Sequence, residues 1–301
     1  MSGAASWTVM PERGSIGALR LMARIALSLG WHAAHALLYP ITAFYLVSAP
    51  PAQRRAARRY LARALGRPAH ARDLFRLYFA FAATMLDRVF LLTGRTGEYE
   101  VTVEGLDRMK AFAEIGQGCI LLGAHIGSFD ALWALAGADA PVEVRILMHR
   151  DNARKANTLF DALDPARTAA IIPLGQPDAM LRAKECLDGG GVLGLLGDRA
   201  PRGERMLAVP FLGAAAPLPA GPMQLAAVLG APVLLCFGLW LGPRRYQLRF
   251  EPFADRIALD RGAREEAVAA WLARYGARLE QVCRAHPYNW FNFYDFWQEE
   301  R

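Results

Sequence analysis

The pattern of apolar and polar positions changes character near Gly94–Gly97. Before that point the chain reads as long helices. Residues 25–49, IALSLGWHAAHALLYPITAFYLVSA, contain no Asp, Glu, Lys or Arg. The run is long enough for a helix that crosses a bilayer, which takes about 20 residues. His32, His35 and Pro40 interrupt it, so a shallow or re-entrant membrane helix and a buried helical hairpin stand beside the spanning reading. The run is too long and starts too late for a signal peptide. Residues 54–67, RRAARRYLARALGR, place Arg54, Arg55, Arg58, Arg59 and Arg63 at helical spacing next to that apolar run, an arrangement that attracts anionic lipid heads. Residues 73–92 predict a further helix with a broad apolar face.

From about residue 98 short apolar runs alternate with amphipathic segments. Strands are predicted at 98–103, 119–124, 142–148, 169–175 and 192–197. Helices are predicted between them at 106–115, 128–137, 153–163 and 178–187. A helix at 222–229 precedes two more strands, 231–241 and 245–253, which Gly242-Pro243 would join in antiparallel pairing. A long helix at 264–285 follows. Strand–helix alternation of this kind argues for an α/β fold, a mixed, mostly parallel central sheet with helices on both faces.

Composition sharpens the picture in three places. Hydrophobic residues make up 54% of the 301 and charged residues 21%, and the mean hydropathy is slightly positive. That leaves no case for disorder and points to a membrane segment or a membrane-facing surface. The net charge of +7 is carried almost wholly by arginine. It suits anionic lipid or an acidic protein partner, and no basic run is interleaved with aromatics in the manner of a single-strand nucleic-acid groove. Cys119, Cys186, Cys236 and Cys283 are scattered, without C-x-x-C, and fit buried thiols better than a disulfide framework or a zinc site. The six histidines show no metal-binding spacing.

The candidate chemistry lies in GAHIGSFDAL, residues 123–132. His125 follows the strand 119–124 and precedes a helix for which Ser128 is a good N-cap. It therefore sits at the carboxyl end of a strand, the rim where open α/β sheets bind ligands. Asp130, in the first turn of the helix, could fold back on the imidazole, fix its tautomer and stabilise the imidazolium. It could also be a first-turn carboxylate favoured by the helix dipole, with His125 a hydrogen-bonded turn residue. A Ser-His-Asp reading through Ser128 lacks the G-x-S-x-G elbow. Phe129, Leu132 and Trp133 are candidates for an acyl pocket or for ordinary core.

H-x4-D after a strand, in a basic and apolar α/β chain, resembles the lysophospholipid acyltransferase superfamily. The closer resemblance is to the lauroyl/myristoyl acyltransferases of bacterial lipid A biosynthesis. It runs over most of the chain and includes Arg150 in LMHRDNARKAN, Asp198 and Arg199 in GLLGDRAPRGER, and VPFLGAAAPLPAGPMQLAAVLGAPVL. This sequence departs from the family's pattern at three places. It carries Asp130 where the family typically has Glu, Asp198-Arg199 where Asp-Gln is frequent, and Arg154 where Asn is usual. The C-terminal HPYNWFNFYDFW is similar to a related branch associated with aryl polyene-type lipids, so the acceptor need not be lipid A.

The resemblance implies a membrane-association segment over residues 1–95 and an acyltransferase domain over 96–301. It implies a place at the bacterial inner membrane with the catalytic domain on the cytoplasmic side. The reaction implied is transfer of a fatty acyl group from acyl carrier protein or coenzyme A to a hydroxyl or amine of a lipid or glycolipid, with no metal or redox cofactor. His125 would be the general base, oriented by Asp130. Arg150 or the backbone near His125 would face the tetrahedral oxyanion, or Arg150 would grip a phosphate. Asp198 and Arg199 would position the acceptor or pair with Arg150, or form a plain turn pair. Two alternatives stand: a non-catalytic lipid-binding protein on the same fold, and a glycerolipid acyltransferase, whose Pro-Glu-Gly-Thr-type stretch is absent. The aromatic C-terminal segment would rest on a bilayer or, more in keeping with its apolar content, pack back on the domain.

Overall fold

In the computed structural model the described residues are 16–136, 142–149, 154–200, 203–260 and 262–297. The strands are β1 (Glu100–Glu104), β2 (Cys119–Gly123), β3 (Val144–Met148), β4 (Ile171–Pro173), β5 (Val192–Leu196), β6 (Met206–Phe211), β7 (Ala214–Pro219), β8 (Val233–Gly242) and β9 (Arg245–Ala254). Seven of them form one sheet in the order β1-β9-β8-β2-β5-β3-β4. The pairs within β8-β2-β5-β3-β4 are parallel. β9 returns antiparallel to β8, and β1 lies parallel to β9. The mixed, mostly parallel α/β sheet expected from the alternation is the one observed. Parallel strands must be apolar on both faces because helices cover both, and β2 accordingly is buried at every position.

The helices are α1 (Ile16–Ser48), α2 (Pro51–Leu65), α3 (Ala71–Leu92), α4 (Leu106–Glu114), α5 (Phe129–Ala131), α6 (Arg154–Leu163), α7 (Pro165–Ala169), α8 (Ala179–Asp188), α9 (Gly221–Leu229) and α10 (Arg264–Ala285). α5 runs on into a π-helical turn, Leu132–Ala136. α10 starts and stops where the sequence pattern places it. β6 and β7 form a separate hairpin in a stretch whose Ala and Pro residues read as a loop. Its two-residue turn places Leu212 and Gly213 at positive φ, the geometry that matches strand twist.

Among the described residues no helix is long and apolar enough to cross a membrane. The spanning reading of residues 25–49 fails for a structural reason. α1 is broken at Gly30, whose φ of 82° and ψ of 169° are not helical. One side of it, including Ala26, Trp31, Ala34 and Leu38, is buried in a core shared with Phe79, Phe90 and Tyr246. Trp31 donates its indole N–H to Asp87 of α3 at 2.7 Å, and the hydroxyls of Tyr99 and Tyr246 donate to the same carboxylate. Half of the apolar run is thus committed to protein.

The arginine-rich α2 is equally engaged. Tyr60 is fully buried and donates to Pro287 O at 2.8 Å. Arg59 pairs with Asp295 at 3.1 Å, and Arg63 donates to Leu212 O while stacking over Trp297. The aromatic C-terminal segment packs back on the domain: Trp290, Phe291, Phe296 and Trp297 are all buried.

Candidate active site

β2 and β5 are neighbours, and their register pairs Gly123 with Leu196. Two residues beyond each strand end stand His125 and Asp198. The register therefore carries an imidazole and a carboxylate to the same point on the carboxyl rim, although 73 residues separate them. His125 Nδ1 lies 2.8 Å from Asp198 Oδ1. The His125 backbone N–H donates to both carboxylate oxygens at 3.2 Å. The Trp290 indole N–H donates to Oδ2 at 3.0 Å. The Arg199 guanidinium stands 3.8 Å from Oδ2 and donates to Phe291 O at 2.5 Å.

Asp198 has no solvent exposure, whereas the His125 side chain is 35% exposed. Burial by itself would raise the Asp198 carboxyl. The His125 imidazole, its hydrogen bond and the Arg199 charge outweigh that and hold the carboxyl well below the usual range. A carboxylate on Nδ1 fixes the tautomer that carries its proton there and leaves Nε2 with its lone pair. Burial, and then the Arg199 charge, lower the His125 pKa against the pull of Asp198. The ring is thus kept neutral, the state a base requires.

The turn after His125 is built by glycines. Gly127 has a φ of 62°, and a Cβ there would fall 1.9 Å from Gly238 O of β8. A Cβ on Gly238 would fall 2.2 Å from Ser128 O. The two backbones touch, and Ser128 N–H donates to Gly238 O at 2.8 Å. Ser128 then caps α5, its Oγ accepting from Ala131 N–H at 3.1 Å, as its residue type predicts.

Asp130 does not meet His125. It lies buried between two arginines, with Arg88 Nε 2.7 Å from Oδ2 and Arg167 Nε 2.7 Å from Oδ1. The expected contact gives way because the Ser128 cap turns the first helical residues away from the rim and toward α3 and α7. Burial pulls the Arg88 guanidinium down to about 10 against the attraction of Asp130, and Arg88 lies over the Phe160 ring at 3.7 Å. Asp198 takes the place expected of Asp130. Its own expected partner, Arg150, lies outside the described residues. Arg199 does stand at Asp198, as a neighbour in sequence and space.

The backbone near His125 is not a free oxyanion site. The N–H of His125 donates to Asp198, that of Ile126 to Ala124 O, that of Gly127 to Asn289 O and that of Ser128 to Gly238 O. Of the acyl-pocket candidates, Leu132 is buried core, Phe129 packs its ring on Gly194, and Trp133 donates to Asp164 at 3.1 Å.

The residue that sequence reasoning missed is Trp290. Its segment was legible as apolar and aromatic, but nothing local ties an indole to a carboxylate 92 positions away. For Asp198 there was a signal: it ends its apolar run at the same offset as His125.

Comparison with curated proteins finds none that matches. The family model described as bacterial lipid A biosynthesis acyltransferase matches residues 28–299. A His–Asp pair on the carboxyl rim of an α/β sheet fits the chemistry of acyl transfer, and by this match over nearly its whole length the chain belongs to the bacterial lipid A biosynthesis acyltransferase family.

Proposed function

We propose that this acyltransferase moves a fatty acyl group from an acyl thioester to a hydroxyl or amine of a lipid or glycolipid, with His125 as the general base and Asp198 as the carboxylate that orients it. The observation that carries the reading is the 2.8 Å contact between His125 Nδ1 and a fully buried Asp198. His125 Nε2 takes the acceptor proton as the oxygen or nitrogen attacks the thioester carbonyl. The tetrahedral oxyanion then collapses, the C–S bond breaks, and the thiolate recovers the proton from the imidazolium. With the backbone N–H groups of residues 125–128 occupied, a cation supports the oxyanion, and Arg150 is the candidate. Asp130 serves by holding the start of α5 against α3 and α7.

A buried ionised carboxylate costs several kcal/mol to desolvate, and a protein that only binds lipid has no use for one behind a half-exposed histidine. That disfavours the non-catalytic reading. The acidic acyl carrier protein is the proposed donor, on charge grounds. The inner membrane, with the site on its cytoplasmic side, is the proposed location. There α1 would lie in the interface, with Leu29, Leu37, Phe44 and Val47 exposed on its outer side and Arg55 and Arg58 close by in sequence on α2. A lipid A precursor and an aryl polyene-type lipid are the two acceptors to try first.

The test is transfer of labelled acyl groups from acyl carrier protein and from coenzyme A, with those two lipids and glycerol 3-phosphate as separate acceptors. A labelled lipid product lost in His125→Ala and in Asp198→Asn supports the proposal and names the acceptor. Product with glycerol 3-phosphate alone supports the glycerolipid reading. Undiminished transfer by His125→Ala removes the base.

A further inference from the structure

We propose that the C-terminal segment Asn289–Phe291 is a positioning strap for the His125–Asp198 pair and that the Trp290 indole N–H is the working group in it. This rests on the assignment of His125 as base. The segment clamps both halves of the pair. Its backbone pairs with the His125 turn: Gly127 N–H donates to Asn289 O at 2.8 Å, Phe291 N–H donates to His125 O at 3.0 Å, and Trp290 bridges to Ile126. The Asn289 side chain closes on both backbone groups of Trp240, accepting at 2.8 Å and donating at 3.1 Å, which ties the strap to β8. From that anchored backbone the Trp290 indole reaches Asp198 Oδ2.

Orientation of the indole is over-determined. Trp290 has no solvent exposure, and the rings of Tyr60, Phe211 and Phe296 meet it edge to face at centroid distances of 4.9, 5.3 and 4.9 Å. An indole N–H only donates. It can hold the carboxylate in one rotamer without adding a charge that would depress the imidazole and without competing as a base. Among the described residues the charged groups facing the imidazole are Asp198 and Arg199. Tyr275 and Cys283 of α10 and Tyr294 of the tail sense the carboxylate and are all pushed upward by burial, so they remain neutral. Removing the indole proton leaves the carboxylate fewer donors, so it pulls harder on the imidazolium, and the pKa of His125 rises.

The experiment compares the full-length parent with Trp290→Phe and with a variant carrying benzothienylalanine at position 290, in which sulfur replaces N–H in a ring of the same shape. Histidine ring NMR titration, with His125→Ala to assign the signal, reads the midpoint without needing the acceptor. Steady-state transfer from a labelled acyl carrier protein to the total lipid extract of a Gram-negative bacterium reads kcat. The expected result is a His125 midpoint raised by about half a unit and a kcat lowered about tenfold, in both variants. Tyr60→Phe, which removes the hydroxyl bonded to Pro287 O, to Cys283 and to the Trp290 backbone but keeps the ring and leaves the indole N–H on Asp198, lowers Tm and leaves the midpoint in place. A midpoint and kcat equal to the parent's in the benzothienylalanine variant overturn the strap. A kcat that falls only with the folded fraction, at an unmoved midpoint, overturns it too. Transfer that survives His125→Ala overturns the base assignment instead, whatever Trp290 does.

Discussion

Two buried aspartates, Asp198 and Asp130, have opposite surroundings. Asp198 holds an imidazole and an indole at hydrogen-bond distance with the Arg199 guanidinium farther off at 3.8 Å, whereas Asp130 is gripped by two guanidinium groups at 2.7 Å. Asp198→Asn keeps the shape and removes the charge that fixes the imidazole tautomer. Its kcat is expected to fall by about 10²–10⁴-fold with KM little changed, checked by steady-state kinetics. Asp130→Asn leaves Arg88 and Arg167 buried side by side without their anion. It is expected to lower stability by about 3–5 kcal/mol in a urea titration, with the acid limb of kcat/KM unmoved because Asp130 does not face His125. At this scale His125 was legible from its place after a buried strand and before a capping serine. Its partner was not, because H-x4-D is a proximity in sequence. Contact across a parallel sheet is set by register, which no pair of residues five apart records.

Among elements, the crossing of the His125 turn over β8 has the least tolerance. Gly127→Ala adds a Cβ where Gly238 O already stands and does so at positive φ. The two strains together are expected to cost about 2 kcal/mol or more and to displace the imidazole, so that kcat falls with Tm. The measurement is thermal unfolding beside turnover, with Gly203→Ala, at positive φ but with open space around its Cβ, as the control. α1 carries the second element-scale prediction. Phe44→Asp with Val47→Asp alters residues 66% and 75% exposed. The pair is expected to weaken co-sedimentation with anionic vesicles by about tenfold or more at unchanged Tm. The central parallel strands β2 and β5 were legible because burial on both faces writes uninterrupted apolar runs, and the helices between strands because one buried side spaces their apolar residues at helical period. The β6–β7 hairpin was not, since its Ala and Pro residues carry no strand signal and its pairing rests on the Leu212–Gly213 turn. The amphipathy of α1 was hidden for a related reason: both its packed side and its open side are apolar, and only the kink at Gly30 and the contact with α3 separate them.

For the molecule as a whole, acid is the sensitive direction. His35, His125 and His286 all have pKa values lowered chiefly by burial. A histidine whose folded pKa is depressed binds its proton more readily when unfolded. The stability it contributes is therefore complete above the unfolded value of about 6.5 and is lost as pH falls below it. Asp198, held low, keeps its contribution until far more acidic conditions. Thermal unfolding is expected to show a Tm that is flat above pH 7 and declines between pH 6.5 and 5. A decline that begins only below pH 4.5 would assign the acid sensitivity to carboxylates instead. Turnover per folded molecule is expected to hold below pH 6.5 while Tm declines, because the lowered pKa keeps the proposed base His125 neutral there.

The amino-acid sequence by itself determined the α/β class, the succession of strands and helices after residue 98 apart from α7 and the β6–β7 hairpin, the placing of His125 at a strand end and the likeness to lipid A acyltransferases. Each of these is written in local periodicity or in short motifs, where hydrophobic burial acts residue by residue. Only the tertiary structure decided that Asp198 rather than Asp130 meets the imidazole, that two arginines take Asp130, that α1 spends one side on α3, and that the Trp290 indole meets Asp198. These are contacts between segments dozens to hundreds of residues apart, selected by sheet register and by the need of every buried charge for a partner. Those conditions are satisfied only once the whole chain has folded.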